Sequence, residues 1–296
     1  MTYTGAQANL EIEPIETCFD NPNWPLLIAG PCSAESEEQV METARQLYAT
    51  KRISAFRAGI WKPRTRPNMF EGVGDIGLLW LQNVKKETGL RVATEVATPK
   101  HVELALKHDI DILWVGARTT ANPFSVQALA DALEGTDSIV FVKNPVNPDI
   151  QLWIGALERL NHAGIKRLAA IHRGFSSYDK TVFRNAPMWN IPIELKAACP
   201  DLPIICDPSH ISGNTELIPM VAQKALDMDM NGLIVESHCN PERALSDAKQ
   251  QLTPTEYAQL IDGLVLREAA IDKVSNILNE LRRDIDTLDD ELIQKL

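Results

Sequence analysis

Residues 26–51 read LLIAGPCSAESEEQVMETARQLYATK. The opening run, LLIAG, is apolar or small throughout, without the polar alternation of a half-exposed strand. That is the pattern of a strand covered on both faces, as in a parallel sheet. A turn of small residues follows. Ser36 then stands where a helix N-cap belongs, with Gln39 three residues on and Val40, Ala44 and Leu47 on one face, so the pattern predicts a helix from Ser36 to Lys51. The unit is strand, turn, helix.

The same unit recurs along the chain. Further β-rich runs are SAFRAG (54–59), RVATEV (91–96), ILWVGA (112–117), IVFVKN (139–144), RLAAIH (167–172), PIICD (203–207) and GLIVES (232–237), which with the first makes eight. Amphipathic segments of helical length separate them, one following Asn122 and another following Asn214. Eight such units over roughly 250 residues match an α/β fold of the (β/α)8 TIM-barrel type. A doubly wound open sheet is the competitor, and the absence of a Gly-x-Gly-x-x-Gly turn favours closure. The expected barrel domain is 1–266.

Composition fits a soluble globular protein: 296 residues, 45% hydrophobic, 23% charged. The net charge of −11 argues against nucleic acid as a partner. It leaves room for small anions, because a local group of Arg and Lys can dominate the potential of a cleft. Five cysteines, odd in number and without paired spacing, do not suggest a disulfide framework. There is no charged-then-apolar leader and no apolar run near ~18 residues, so no membrane partner and a cytoplasmic location are expected.

Residues 267–296 differ in character. Ile271, Val274, Leu278, Leu281, Ile285, Leu288 and Leu292 follow a 3-4 spacing within a highly charged segment, predicting a long C-terminal amphipathic helix with a narrow apolar seam. Such a seam needs a partner surface.

A barrel carries its chemistry at the C-terminal ends of its strands. Those ends supply Cys32, Arg57, Glu95, Arg118, Lys143, Arg173, Asp207 with His210, and Glu236 with His238, while Asp247 follows a short way on. Cys32, His210, Glu236 and Asp247 combine a thiol, an imidazole and two carboxylates, a set suited to a divalent metal ion such as Mn2+, Fe2+, Co2+ or Zn2+. Each member alone also reads as structure, a lone Cys in such a turn being commonly a small buried residue. Their shared position at one barrel end is what groups them. Arg57, Lys62, Arg64, Arg118, Lys143 and Arg173 form a second set. Six cations in one mouth repel one another unless anions neutralise them, which implies a substrate, or a pair, bearing several negative charges.

The motifs GPCS (30–33), KPRT (62–65), GAR (116–118), DPSH (207–210) and the closing VES, His238 and ALSD (244–247) resemble, in order, those of the 3-deoxy-D-arabino-heptulosonate 7-phosphate (DAHP) synthases, class I-beta. The resemblance covers residues 25–266. It implies condensation of phosphoenolpyruvate with erythrose 4-phosphate in the shikimate pathway, by a homo-oligomer (dimer or tetramer). Carried over by motif, Arg118 and Arg173 bind the phosphate of phosphoenolpyruvate, and Arg57, Lys62 and Lys143 face its carboxylate with Glu95 nearby. Pro63, Arg64 and Thr65 take erythrose 4-phosphate, together with Asp247. Lys62, Cys32 and His210 are the expected catalytic residues, Lys62 as proton donor with a metal-bound water as the alternative.

Two departures stand out. Arg66 replaces a frequent Ser after KPRT, and Phe175, Ser176, Ser177 and Tyr178 follow HRG where many relatives have Ile-Arg-Thr-Phe-Glu. One expected phosphate-binding Arg is thereby missing, with Arg66 as a replacement to consider. The alternatives are a 3-deoxy-D-manno-octulosonate 8-phosphate (KDO8P) synthase using arabinose 5-phosphate, whose usual turn reads Lys-Ala-Asn-Arg-Ser rather than KPRT; a metal-dependent aldolase; and a non-catalytic barrel serving as a scaffold for a mutase partner. The tail resembles the first helix of the all-helical chorismate mutases through Leu281, Arg282, Ile285, Asp286, Leu288 and Asp289. This implies a bifunctional parent regulated allosterically through its mutase domain, and little or no mutase activity from one helix alone.

Overall fold

The computed structural model describes residues 8–19, 25–63 and 69–266. Arg64, Thr65 and Arg66, and the whole of the predicted C-terminal helix, lie outside the described residues. The chain divides into a compact unit, Met1–Leu264, and a second unit, Val265–Leu296.

The first unit is a closed parallel barrel whose strands neighbour one another in sequence order. They are β1 (Leu26–Gly30), β2 (Ala55–Arg57), β3 (Arg91–Val96), β4 (Ile112–Val115), β5 (Ile139–Lys143), β6 (Leu168–His172), β7 (Ile204–Cys206) and β8 (Gly232–Glu236). The seam that closes the barrel pairs β1 with β8, from Leu26 opposite Gly232 to Gly30 opposite Glu236. Each apolar run of the sequence contains one strand, β1 and β3 in full and the others trimmed by one to three residues at their ends.

Helices α1 (Glu37–Thr50), α2 (Ile76–Thr88), α3 (Pro99–Lys107), α4 (Ala117–Thr120), α5 (Pro123–Leu133), α6 (Ile150–His162), α7 (Asn190–Ala198), α8 (Pro208–Ser212), α9 (Ile218–Asp227) and α10 (Pro254–Gly263) follow in chain order. Their starts are legible chemistry. Ser36 caps α1 by accepting from the Gln39 amide, while the Gln39 side chain reaches past the cap to accept from the Glu35 amide. Asn122 caps α5 by accepting from the Phe124 and Ser125 amides. Asn214 accepts from the Leu217 amide just ahead of α9, which therefore starts later than a cap at Asn214 would place it.

Two apolar groups divide the interior. Outward strand residues such as Leu27, Phe56, Val92, Leu113 and Val140 pack beneath the helices with Val40, Leu47, Leu81 and Leu129. Inward residues, including Ile28, Ala55, Ala93, Trp114, Phe141, Ile171, Ile205 and Ile234, fill the barrel, joined by Ile15, Cys18 and Phe19 from a 3-10 turn at Ile15–Cys18. Side chains alternate along a strand, so the next inward layer toward the C-terminal rim is fixed. It comprises Gly30, Arg57, Glu95, Gly116, Lys143, Arg173, Asp207 and Glu236. The apolar filling thus ends where the charged layer begins.

Gly232 occupies the seam. A Cβ placed there would overlap the carbonyl oxygen of Leu26. Gly232→Ala is expected to destabilise the fold by about 1–3 kcal/mol through overpacking against backbone that cannot yield, read as a lower urea midpoint with an unchanged slope.

Candidate active site

Cys32 lies two residues beyond β1, fully buried. Its thiol donates to Asp247 Oδ2 at 3.3 Å and accepts from Lys62 Nζ at 2.9 Å. Cys32, Glu236 and Asp247 each offer one ligand atom, and these atoms all lie within 4.8 Å of one another. His210 stands beside this trio: its Nε2 is 3.7 Å from Glu236 Oε1, and its Nδ1 is 2.8 Å from Asp207 Oδ2. His238 has other neighbours, with Nδ1 accepting from the Asn240 amide and Nε2 3.8 Å from Glu35.

The electrostatics are those of a site arranged for charge. Burial, and then the Glu236 carboxylate, push the Cys32 thiol up to about 12, against the pull of Lys62. Burial works to raise Glu236 too, yet His210, Arg57 and Lys62 hold it below the ordinary carboxylate value. Asp247 behaves alike: burial opposes ionisation, but Arg184, His210 and Lys62 depress it. His210 is lowered by burial, with Asp207 and Glu236 opposing. Glu236 Oε1 is buried and finds no hydrogen-bond donor among the described residues. Arg57 Nη1, 3.5 Å away, pairs its charge without a hydrogen bond, a shortfall that a bound cation would make good. The donor set and the orphaned oxygen together fit a divalent cation, which on binding would draw the proton from Cys32.

The cations surround the same space. Lys62, Arg118, Lys143, Arg173 and Arg184 line one cavity together with Pro63, Glu95, Ala117, His210 and Asp247. Arg57, below them, is 1% exposed. Its Nη2 donates to the Cys32 carbonyl at 3.2 Å, its Nη1 is 3.5 Å from Glu236 Oε1, and its guanidinium lies 4.8 Å over the Trp114 ring. Arg57 Nε and Nη1 have no hydrogen-bond acceptor among the described residues. Lys143 Nζ donates to Asp207 Oδ2 at 2.9 Å; despite burial, His210 and Lys143 keep Asp207 well below the usual carboxylate range. Glu95 accepts from the Trp114 indole at 3.0 Å, and a Cβ at Gly116 would displace the Glu95 carboxylate from its present place. Arg173 donates to Asn185 Oδ1 at 2.8 Å. Burial, reinforced by Arg184 and Arg118 and opposed by Asp207, pulls its guanidinium down to about 10.

Three residues in this site escape a reading of strand ends. Arg184 sits far along the β6–α7 loop, where its amide donates to Ser212 O and its Nη1 donates to Asp247 Oδ1 at 2.9 Å and Gln250 Oε1 at 2.6 Å. Gln250 and Gln251 follow Asp247, whose left-handed backbone (φ 50°) turns both amides inward. Gln250 Nε2 donates to Glu236 Oε2 at 2.7 Å, and Gln251 accepts from the Cys32 amide at 2.9 Å. The available signal was a pair of adjacent amides three and four residues after Asp247. His172 faces the helix layer among Trp153, Phe175 and Trp189, fully buried and away from the cavity.

Residues 15–267 match the sequence profile of the DAHP synthetase I family. The phospho-2-dehydro-3-deoxyheptonate aldolase of Thermotoga maritima is 33% identical over 264 residues, covering 86% of this chain and 75% of that protein. A 2-dehydro-3-deoxyphosphooctonate aldolase of Helicobacter pylori is 27% identical over 267 residues, covering 81% of this chain and 94% of its own length. The crystal structure of the Thermotoga maritima phospho-2-dehydro-3-deoxyheptonate aldolase (DAHP synthase) superposes with a TM-score of 0.73 at 30% identity, over 86% of this chain and 70% of that one. A truncated form of 3-deoxy-D-arabino-heptulosonate 7-phosphate synthase from the same organism gives 0.69 at 26% identity, over 86% and 87%. The chain belongs to the DAHP synthetase I family. No helix among the described residues is long and apolar enough to cross a membrane.

Gln250 joins the Glu236 carboxylate to the Arg184 guanidinium through the two ends of one amide. Gln250→Leu is expected to weaken Co2+ binding by roughly 10–100-fold, as losses of groups that orient metal ligands do, measured by chelator competition. Metal affinity should also rise as pH rises, because the bound form requires the thiolate and protons compete for it.

Proposed function

We propose that this member of the DAHP synthetase I family condenses phosphoenolpyruvate with D-erythrose 4-phosphate and water to give 3-deoxy-D-arabino-heptulosonate 7-phosphate and inorganic phosphate. The observation that carries this reading is the convergence of Lys62, Arg118, Lys143, Arg173 and Arg184 on one cavity that also contains Asp247 and His210. A single-anion aldolase has no need of so many cations.

In this reading, Arg118 and Arg173 hold the phosphate of phosphoenolpyruvate, while Arg57, Lys62 and Lys143 face its carboxylate. Pro63, Arg64 and Thr65 present the phosphate site for erythrose 4-phosphate. Cys32, His210, Glu236 and Asp247 hold a divalent metal, with Mn2+ preferred. When bound, the metal supplies Lewis acidity toward the aldehyde.

The new bond forms between carbon 3 of phosphoenolpyruvate and carbon 1 of the aldose. Lys62 gives a proton to the resulting alkoxide. Water adds at carbon 2, and the C–O bond to phosphate breaks from the tetrahedral adduct. Two mutually repelling anions must be aligned for the first bond, and a fixed array of guanidinium and ammonium groups meets that cost before reaction. The opposing carboxylates Glu236, Asp207 and Glu95 keep the array from repelling itself when empty. Octulosonate synthesis is the lesser reading, since those relatives are less similar, at 27–28% identity, and KPRT is not their usual turn. The tail beyond 266 is read as related to a chorismate mutase first helix.

Phosphate release from phosphoenolpyruvate should require erythrose 4-phosphate, cease with a chelator and return with Mn2+, and arabinose 5-phosphate should be a poor acceptor. Cys32→Ala is expected to lower kcat at least about 100-fold at fixed Mn2+, more than the loss of an outer partner does. Turnover by chelator-treated protein without added metal would remove the metal from this account.

A further inference from the structure

Of Arg57, Lys62, Glu95 and Lys143, the groups placed at or near the carboxylate of phosphoenolpyruvate, Lys62 alone is carried by a loop. Arg57, Glu95 and Lys143 lie on strands, where hydrogen-bonded neighbours fix the backbone. Lys62 has a flexible four-carbon stem and follows β2 by five residues, on a turn, yet it must deliver a proton to one atom. Something other than the sheet has to hold that turn.

We propose that His101 is a positioning residue for Lys62, acting through the ring of Trp61. The His101 and Trp61 rings stack with centroids 3.9 Å apart and planes 7° from parallel. The indole is also held at its edge, where Nε1 donates to Asp75 Oδ1 at 3.3 Å. Asp75 precedes α2, and His101 sits in the first turn of α3, so the residue before Lys62 is gripped between the starts of two barrel helices. The grip is itself anchored. The His101 amide donates to the Thr98 cap at 3.2 Å, and His101 Nδ1 accepts from the Ala97 amide at 3.3 Å. With Nδ1 occupied as an acceptor, the neutral ring carries its proton on Nε2 and cannot rotate without losing that bond. Burial favours this neutral form, against the Asp75 and Glu95 carboxylates that face the ring.

Downstream of the grip, the Lys62 amide donates to Glu71 O at 2.8 Å, closing the base of the turn, and Lys62 Nζ reaches Cys32 Sγ at 2.9 Å. Trp61 thus transmits the position of α3 to the ammonium group at the cavity. The role given to His101 rests on the reaction proposed above.

The test compares His101→Ala with His101→Phe. Phenylalanine retains a flat ring against Trp61 but offers no acceptor to the Ala97 amide. His101→Ala is expected to lower kcat about tenfold, in line with sub-ångström misplacement of a reacting group. His101→Phe should return kcat to within about threefold of the wild type, since the stack is what positions Lys62. A spectroscopic readout accompanies the kinetics: Trp61 emission, taken as the difference between each protein and its Trp61→Phe counterpart, should shift red in His101→Ala and stay put in His101→Phe. Equal kcat in His101→Ala and wild type overturns the proposal. Equal losses in the two variants also overturn it, assigning His101 to the start of α3 instead. Wild-type protein that releases no phosphate with erythrose 4-phosphate overturns the proposed reaction, and with it the role of His101, whatever the emission shows.

Discussion

The pairing of the first strand with the last determines where everything else can be. Gly30 opposite Glu236 brings the turn after β1 against the end of β8. Cys32 and Glu236 come from opposite ends of the barrel sequence and become neighbours only when the sheet closes. Asp247 then joins them from the loop that follows β8, and His210 from the turn after β7. An open sheet with the same eight strands would separate thiol from carboxylate by its full width. Closure is the event that makes the donor set.

The second determinant is charge compensation in a place with little water. Glu236 and Asp207 are fully buried, and Arg57 and Lys143 almost so. Buried pairs of this kind seldom add net stability, because desolvation offsets attraction. Their value lies in what they prevent and permit. Each carboxylate allows a cation to stay charged inside the barrel, and each cation allows a carboxylate to stay ionised below the rim. Arg184, Gln250 and Gln251 extend the arrangement outward, tying Asp247, Glu236 and Cys32 into one frame. The result is a basic cavity and a cluster of thiol and carboxylate groups that share Asp247.

The sequence made the barrel readable because an apolar run covered on both faces reports its surroundings directly. It made Arg57, Glu95, Lys143, Arg173, Asp207 and Glu236 readable because side-chain alternation dictates which residue points inward one layer above the apolar filling. Arg184, Gln250 and Gln251 follow no such rule. Their orientation depends on a left-handed residue at Asp247 and on a long β6–α7 loop tied to α8, and a spacing pattern carries neither. The His101–Trp61 stack was hidden for a similar reason. A histidine on a helix and a tryptophan before a turn show their relation only once the β3–α3 and β2–α2 connections lie side by side.

The central claim is that one cation centre and one ring of basic groups face each other across a single rim. Anomalous diffraction at the manganese edge, from crystals grown with Mn2+ and phosphoenolpyruvate, tests it directly. The account predicts one strong peak within bonding distance of Cys32 Sγ and of Glu236 and Asp247 carboxylate oxygens, with phosphoenolpyruvate density against Arg118 and Arg173. A peak elsewhere, or none beside Cys32, or phosphoenolpyruvate bound away from those arginines, would contradict it.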